Sequence, residues 1–390
     1  MTPVNIDDMR KAARRRLPKI FFDYIDGGAF GEATMRANRE DFARYRLEQS
    51  VLTGVDAADL STTYLGARHA LPFMLGPVGF LGLYAGNGEM KAIKAAHAAG
   101  IPLCLSTFSI ASLADLRAET GADLHFQLYI LKDRGLCTEL LRTAEDAGVD
   151  TLHLTVDTAV TAVRERDVRN GFRSLERLTP GLLLSMARRP RWCLDMARAG
   201  TPKVGMLRER PAFGGNILQQ AANLSRNIDK TLSWRDVEWL RRNWKGRLVI
   251  KGVLSAADAL SARKHGADAV VVSNHGGRQL DGASSTIAAL AAIREAVGPE
   301  MGVMIDGGFR RGSDIVKALA LGADGVMLGR AYTYGLAASG RPGVERVIAL
   351  LRDEIEITLT LMGLASVDAL KRKGRAALTD AGGHLQAPVR

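Results

Sequence analysis

The sequence of 390 residues is long enough for one barrel-sized domain or two smaller ones, and its 47% hydrophobic and 24% charged residues are typical of a globular protein. Its three cysteines include no CxxC pair, which argues against a disulfide framework and a zinc site, so we predict no metal site. No stretch has the apolar core of a signal peptide or the about 18 apolar residues of a membrane span, so the sequence predicts a cytosolic protein.

Residues 1–70 come before the first apolar run that suits a barrel strand. We expect them to form a helical extension that closes the bottom of the barrel and contributes one or two residues to its top. The first 20 residues of this extension are basic, with six Lys or Arg against two Asp or Glu.

Eight short apolar runs follow, and most are separated by helical patterns that end at a glycine. Buried parallel strands have this composition, and eight strand–helix units predict a single (β/α)8 TIM barrel in one domain over 1–390. The runs are LPFMLGPVG (71–79), IPLCLST (101–107), LHFQLYI (124–130), TLHLTVDT (151–158), RLVIKG (247–252), AVVVSNHG (269–276), GVMIDGG (302–308) and GVMLGR (325–330).

A long insertion, 159–246, separates the fourth run from the fifth. Strand starts are 22 to 33 residues apart elsewhere but 96 apart here, and residues 161–210 hold twelve Lys or Arg against five Asp or Glu. This basic stretch lacks interleaved stacking aromatics, and no nucleic-acid-binding motif is present, so we predict no nucleic acid partner. It is either a solvated lid or a segment that binds an anionic membrane surface. Its basic residues are Arg188, Arg189, Arg191, Arg198, Lys203, Arg208 and Arg210, interleaved with Leu182, Leu183, Leu184, Met186, Trp192, Leu194 and Met196.

Polar residues stand at the carboxyl ends of the predicted strands, where TIM barrels hold their active sites. Residues two apart on one strand point to the same side, so several of these side chains converge. They are Gln127, Tyr129, Thr155, Asp157, Lys251, Ser273 and His275.

The last two strands end in the glycine-rich stretches DGGFRRGSD (306–314) and GR (329–330). Glycine N–H groups and a helix N-terminus bind phosphate at this end of many TIM barrels, and Arg310 and Arg330 add positive charge. No GxGxxG follows the first strand, so FMN fits better than a nicotinamide cofactor.

The stretch SNHGGRQLDG (273–282) predicts the reacting groups. His275 can act as a base near neutral pH, and Asp157 can stabilise its protonated form. Arg278 can hold a carboxylate through two parallel hydrogen bonds, and Gly276 and Gly277 allow the tight turn between them. The site therefore removes a proton beside a carboxylate.

These motifs, with YIDGGA (24–29), GPVGFLGLYAGNGE, FQLYILKDRG, TVDTAVTAVRERD and DGGFRRGSDIVKALALGAD, resemble the FMN-dependent L-2-hydroxy acid dehydrogenases and oxidases. The resemblance covers most of the chain and is closest to the bacterial membrane-associated L-lactate dehydrogenase branch, with mandelate dehydrogenases next. It implies FMN as cofactor, oxidation of L-lactate to pyruvate with electrons passed to a membrane quinone, a peripheral site on the inner face of the cell membrane, and a homotetramer.

The resemblance also implies roles for individual residues. His275, Asp157 and Tyr129 are catalytic, and Lys251 stabilises the reduced flavin. Substrate is bound by Tyr24, Tyr129, Arg164 and Arg278. FMN is contacted by Pro77, Val78, Gly79, Ser106, Gln127, Thr155, Lys251, Ser273, Asp306, Gly307, Gly308, Phe309, Arg310, Gly329 and Arg330.

Several alternatives stay open. An L-mandelate dehydrogenase and a soluble glycolate or lactate oxidase that uses oxygen share the same motifs. The resemblance implies that Gly79 favours a dehydrogenase and that Phe108 favours a small aliphatic substrate. A non-redox FMN barrel gives no reason for the carboxylate clamp of Arg164 and Arg278. A basic-surface binding protein on an inactive barrel gives no reason for His275.

Overall fold

The computed structural model describes residues 2–171, 180–207, 213–214 and 217–380. Eight parallel strands, β4 to β11, close into a barrel in sequence order, which confirms the predicted fold. The strands are β1 (Tyr45–Leu47), β2 (Thr62–Tyr64), β3 (Ala67–His69), β4 (Phe73–Leu75), β5 (Leu103–Ser106), β6 (Leu124–Leu128), β7 (Thr151–Thr155), β8 (Arg247–Val253), β9 (Ala269–Val272), β10 (Gly302–Ile305), β11 (Gly325–Leu328) and β12 (Leu378–Asp380).

Helices cover the outside of the barrel, and several begin at a side-chain cap. Asp133, Ser255 and Ser285 each accept a hydrogen bond from a backbone N–H three residues on, which satisfies a donor of the first helical turn. The helices of the described residues are α1 (Ile6–Arg16), α2 (Lys19–Asp26), α3 (Ala33–Glu40), α4 (Gly88–Ala98), α5 (Leu113–Thr120), α6 (Arg134–Asp146), α7 (Glu165–Arg169), α8 (Pro180–Ala187), α9 (Pro190–Ala199), α10 (Ile217–Asn227), α11 (Trp234–Asn243), α12 (Ala256–Lys264), α13 (Thr286–Val297), α14 (Gly312–Ala320), α15 (Arg330–Ser339), α16 (Arg341–Leu361) and α17 (Val367–Lys373).

A short hairpin, β2–β3, closes the amino end of the barrel. Its turn has positive φ at Leu65 and Gly66, and the Tyr64 ring is 2% exposed. The Tyr64 hydroxyl donates to the carbonyl of Phe73 at 3.0 Å, and the ring packs with the Met and Val side chains of the barrel interior. The expectation that N-terminal helices close this end was wrong, because the eight-residue hairpin brings a large aromatic ring directly under the strands.

The N-terminal helices lie beside and above the barrel instead. α1 packs against α15 and α16, and α2 packs against α7 near the carboxyl ends of the strands. Residues 1–70 thus contain three short strands as well as helices, and β1 pairs with β12 near the other end of the chain.

The insertion is docked on the barrel through α9. The Trp192 ring is 6% exposed, packs on Phe21 at 5.3 Å between centroids, and donates its indole N–H to the carbonyl of Leu83. The Asp195 carboxylate accepts hydrogen bonds from Arg16 and Lys91. Of the apolar residues predicted to give the insertion a solvated or membrane-binding surface, Trp192 is therefore not available, because its ring is already buried against α2.

The other residues named for the insertion are exposed, partly buried or outside the described residues. Leu183, Leu184 and Leu194 are about half exposed on α8 and α9. Arg208 and Arg210 lie outside the described residues, as does the side chain of Leu182. Within the described ranges, no helix is both long and apolar enough to cross a membrane.

Two buried histidines lie inside the barrel, on adjacent strands. His125 of β6 and His153 of β7 are 2% and 0% exposed, and His125 Nδ1 lies 3.1 Å from His153 Nε2. Burial lowers the pKa of His125 to about 4 and lowers that of His153 well below its usual range. Both imidazoles are therefore neutral at pH 7.

Candidate active site

The carboxyl ends of the barrel strands open into one cavity of about 1120 Å³, larger than most single-ligand pockets. Every predicted site residue lines it except Asp157 and Ser273, which lie directly behind lining residues. The lining residues are Tyr24, Pro77, Val78, Gly79, Ser106, Gln127, Tyr129, Thr155, Arg164, Lys251, His275, Arg278, Asp306, Gly307, Gly308, Phe309, Arg310, Gly329 and Arg330.

His275 is held in a left-handed turn at the end of β9. Its φ is +57°, and the next two residues, Gly276 and Gly277, also have positive φ. Its Nδ1 lies 3.0 Å from Asp157 Oδ1. Burial acts to raise the pKa of Asp157, but His275, together with the charge of Lys251, outweighs burial and lowers that pKa. Because Nδ1 faces Asp157, Nε2 is the nitrogen left for a substrate.

Lys251 lies on the floor of the cavity with an acidic partner. Its Nζ is 2.7 Å from Asp306 Oδ2 and donates to Ser273 Oγ at 2.9 Å. Burial acts to lower the pKa of Lys251, but the carboxylates of Asp306 and Asp157 outweigh burial and raise it. Lys251 therefore stays charged on the cavity floor.

Several buried polar atoms around this floor have no hydrogen-bond partner among the described residues. They are Gln127 Nε2, Thr155 Oγ1, Asp306 Oδ1 and Arg310 Nε. Buried polar groups in folded proteins are almost always paired, so such a set indicates a bound polar molecule. Amide and hydroxyl groups beside Lys251 suit a hydrogen-bonding ring, and arginines suit a phosphate, so the residues fit FMN.

At the end of the cavity near β10 and β11, the sequence predicted free backbone N–H groups at a helix N-terminus for a phosphate, and the structure differs from this prediction. Asp314 accepts hydrogen bonds from the N–H groups of Arg310 and Arg311, and Glu354 accepts one from Gly312. These N–H groups at the start of α14 are thus already bonded within the protein. Gly308 is needed here because a Cβ would lie 1.8 Å from the carbonyl oxygen of Asn38.

Arg330 ties the N-terminal segment to this end of the cavity. Its guanidinium donates to the carbonyls of Ile25, Gly27 and Gly276 at 2.7 to 2.9 Å. Burial lowers the pKa of Arg330 to about 10. Arg330 thus fixes the backbone on both sides, and only its remaining N–H groups can reach a phosphate.

Two arginines lie close to the ring of Tyr24. The guanidinium carbons of Arg164 and Arg278 lie 5.6 and 5.0 Å from the ring centroid. Arg278 also donates to the carbonyls of Tyr24 and Gly27. Burial and the neighbouring Arg164 lower the pKa of Arg278. Two guanidinium groups this close at the cavity wall have the chemistry to bind a carboxylate.

Aromatic side chains form the wall beside this clamp. The rings follow one another from Tyr24 to Phe80, Phe108 and Tyr129, with centroids 6.5, 5.6 and 5.6 Å apart. A Cβ on Gly79 would come within 3.0 Å of the Phe108 Cβ, so the wall is tightly packed.

Some residues that shape the site carried no predicted role. Asn38 and Asn274 exchange side-chain hydrogen bonds of 2.8 and 2.9 Å across the loop that holds His275. Asp26 binds Arg10, Arg166 and Tyr334 next to the α2 carbonyls. Asp26 stands in YIDGGA and Asn274 in SNHGG, so both motifs signalled them without indicating their partners.

A third such residue is Asp167. It is 1% exposed, lines the cavity and lies 3.7 Å from Arg164 through its Oδ2. Its position three residues after Arg164 was the available signal, because a helix begins there.

Comparisons with known proteins agree with this site. The L-lactate dehydrogenase of Caulobacter vibrioides (strain NA1000 / CB15N) is 47% identical over 366 residues, which cover 93% of this chain and 95% of that protein. A crystal structure of the monotopic membrane protein (S)-mandelate dehydrogenase has a TM-score of 0.93 and 40% identity, and covers 97% of this chain and 100% of that one.

A soluble mutant of the membrane-associated (S)-mandelate dehydrogenase from Pseudomonas putida has a TM-score of 0.82 and 39% identity, over 97% of this chain and 100% of that one. The model of the family described as FMN-dependent dehydrogenase matches residues 13–376, which confirms the predicted cofactor, FMN. On this match over nearly the whole chain, the protein belongs to the FMN-dependent dehydrogenase family.

Proposed function

We propose that this protein oxidises a small L-2-hydroxy acid, L-lactate foremost, to the 2-keto acid and passes the electrons to a membrane quinone. The observation that carries the proposal is the position of the His275–Asp157 pair in the same cavity as the Arg164 and Arg278 guanidinium groups. A base next to a carboxylate clamp is what the oxidation of a 2-hydroxy acid requires.

The clamp binds and orients the substrate. Arg278 has N–H groups beyond those bonded to Tyr24 and Gly27, and with Arg164 it holds the substrate carboxylate. Both guanidinium groups lie within about 6 Å of the Tyr24 ring centroid, so cation–π attraction to this ring helps to position them. The substrate's second carbon then lies between the clamp and the cavity floor.

His275 moves the proton. Oxidation of a 2-hydroxy acid removes two hydrogens, and one leaves as a proton, which Nε2 of His275 accepts. The imidazolium that forms is stabilised by Asp157, 3.0 Å from Nδ1. Tyr129, whose pKa is raised by burial and by Asp157, stays protonated and can donate a hydrogen bond to the substrate.

Bound FMN supplies the two-electron acceptor for the other hydrogen. Gln127, Thr155, Ser106 and Lys251 would hold its ring, while Arg310 and Arg330 would hold its phosphate. Pro77, Val78, Gly79, Ser273, Asp306, Gly307, Gly308, Phe309 and Gly329 complete the proposed set. Lys251 places a permanent positive charge where negative charge develops.

The aromatic wall supports a small substrate. Phe80 and Phe108 pack edge to face and narrow the space beside the clamp. A relative named L-lactate dehydrogenase supports the same choice, whereas the structural neighbours named mandelate dehydrogenase keep an aryl substrate as the second candidate.

Anaerobic flavin bleaching tests this function. The FMN-loaded protein is mixed without oxygen with L-lactate, L-mandelate or glycolate, and the loss of flavin absorbance is followed. We expect L-lactate to bleach the flavin with the highest second-order rate constant. A flavin that none of the three reduces would overturn the proposal, and faster bleaching by L-mandelate would favour the second candidate.

We further propose that the protein attaches to the inner face of the cell membrane through α8 and α9. Leu183, Leu184 and Leu194 are half exposed there, next to Arg188 and Arg191. Arginines add about 1 kcal/mol each near an anionic leaflet, and exposed leucines add apolar burial. A neighbour described as a monotopic membrane protein supports this position for the chain.

Vesicle sedimentation tests the attachment. We expect binding to vesicles with anionic lipid at low salt, and its loss in the double variant Leu183→Ser/Leu184→Ser. Leu260→Ser, which changes a 40% exposed leucine on α12, is the control and should still bind. Equal binding by the double variant and the control would show that these helices do not mediate the attachment.

The homotetramer implied by the resemblance stays a proposal, which sedimentation equilibrium tests.

A further inference from the structure

Arg310 and Arg330 donate to backbone carbonyls and are assigned above to the phosphate of FMN. The other buried charges of the cavity described so far fall into groups that neutralise one another, with one exception. Lys251 pairs with Asp306 at 2.7 Å, and His275 pairs with Asp157 at 3.0 Å once it holds a proton. Burying an unpaired charge is costly, so this pairing is expected. The exception is the clamp, where two guanidinium groups share one wall.

The clamp has one resident carboxylate, Asp167. It is 1% exposed and its Oδ2 lies 3.7 Å from the guanidinium of Arg164. Its charge also acts on Arg278, and it lines the cavity in which the substrate binds. Arg164, Arg278 and Asp167 together carry one surplus positive charge.

Contacts of other residues also anchor the helix that carries Asp167. α7 is held to the N-terminal segment by Arg166, which binds Asp26 and Glu32 at 2.8 and 2.5 Å. Asn170 adds a hydrogen bond of 2.5 Å to Asp23. Because these contacts anchor α7 independently, the Asp167 carboxylate can act on the charge of the clamp.

We propose that Asp167 sets the charge of the clamp to accept one substrate carboxylate, and thereby selects monocarboxylic over dicarboxylic 2-hydroxy acids. This inference rests on the proposed function. A bound monocarboxylate offsets the one surplus positive charge of Arg164, Arg278 and Asp167. A second carboxylate in the same cavity leaves one buried negative charge. The exposed Arg226 and Lys230 at the cavity mouth are screened by solvent and offset it only weakly.

Ligand titration of the oxidised, FMN-loaded protein tests this without turnover. Propionate and succinate are the deoxy analogues of lactate and malate, and their binding is read from the change in flavin absorbance. In Asp167→Asn we expect propionate to bind about three- to tenfold more tightly, from the loss of one nearby unit charge. The same electrostatic change acts on both charges of the dianion, so the affinity for succinate should rise by roughly the square of that factor.

Two variants separate charge from shape. Asp167→Glu keeps the charge and should keep the wild-type ratio of the propionate and succinate dissociation constants. Glu165→Gln makes the same charge change on the same helix, at a side chain that faces solvent and pairs with Arg169, and should leave the ratio unchanged. Should Asp167→Asn not fold, Asp167→Ser makes the same charge change with a smaller side chain.

Two results would overturn the inference. One is an unchanged ratio of the propionate and succinate dissociation constants in Asp167→Asn and Asp167→Ser. The other is a change of this ratio in Asp167→Glu as large as in Asp167→Asn. Flavin bleaching provides an independent measurement. In Asp167→Asn and Asp167→Ser, the bleaching rate with L-malate should rise relative to the rate with L-lactate. If no hydroxy acid bleaches the wild-type flavin, the proposed function fails, yet the titrations still report on the clamp.

Discussion

At the scale of single residues, His275 offers the sharpest test of the proposed chemistry. His275→Ala removes the Nε2 acceptor but leaves the cavity floor of Lys251, Gln127 and Thr155 intact. We expect FMN binding to persist and the rate of flavin bleaching by L-lactate to fall about 10²- to 10⁴-fold, as for loss of a proton-transfer group.

Rapid anaerobic mixing measures this rate, with FMN content checked by absorbance after gel filtration. His97→Ala, at an exposed histidine of α4, is the control and should bleach like the wild type. Bleaching of His275→Ala within a factor of a few of that control would show that another group takes the proton.

The sequence predicted which side chains meet but not what holds them. Alternation along β6 and β7 places Gln127 and Thr155 on the inner side, because side chains two apart share a face. His275 lies beyond β9 in a left-handed turn, which alternation does not predict. No such rule links Arg330 to the carbonyls of Ile25 and Gly27, some 300 residues earlier in the chain. Those contacts depend on how the N-terminal segment folds over the barrel.

At the scale of elements, α9 is the part of the insertion whose docking can be tested. Asp195 accepts hydrogen bonds from Arg16, Lys91 and the N–H of Gly86 at 2.9 to 3.1 Å. Asp195→Ala removes all three, so α9 should open more often. We expect trypsin to cleave near Arg191 and Arg198 about tenfold faster, because local opening limits cleavage of folded segments.

Limited proteolysis followed by mass spectrometry locates the cuts. The control is Asp353→Ala, which removes an exposed carboxylate paired with Arg352 on α16. Cleavage of the two variants at the same rate would mean that Trp192 and its neighbours are sufficient to hold α9.

The insertion was predicted as a gap between strands but not as a docked helical segment. Its mixture of arginines and leucines is compatible with a solvent face, a membrane face or a packed face, and composition does not separate them. Trp192 belongs to the packed face because Phe21 and the carbonyl of Leu83 lie within reach. The β2–β3 hairpin was missed because three-residue strands leave almost no periodic signal.

At the scale of the whole molecule, the His125–His153 pair predicts how stability depends on pH. The folded-state pKa values lie below the ordinary value of 6.5, so the folded protein binds fewer protons than the unfolded chain in this range. The stability contributed by the neutral pair is full above about pH 6.5 and is lost as the pH falls toward about 4.

Urea unfolding at pH 7.5, 6.0 and 5.0 measures this loss. We expect the double variant His125→Phe/His153→Leu to lose less stability than the wild type between pH 7.5 and 5.0. Glu89, whose pKa is raised by burial, contributes with the opposite sign in both proteins and cancels from the comparison. If the free energy of unfolding falls equally with pH in the wild type and the double variant, the histidine pair does not cause the pH dependence of stability.

The Tyr64 hairpin at the amino end of the barrel has a consequence for the order of events during turnover. Since its ring fills the space below the strands, the described residues leave the carboxyl-end mouth as the route to the flavin site. We expect hydroxy acid, keto acid and electron acceptor to share that entrance, and the keto acid to leave it before the acceptor reacts. Steady-state rates at several fixed acceptor concentrations should give parallel double-reciprocal lines, whereas lines that intersect would mean that both substrates are bound at once.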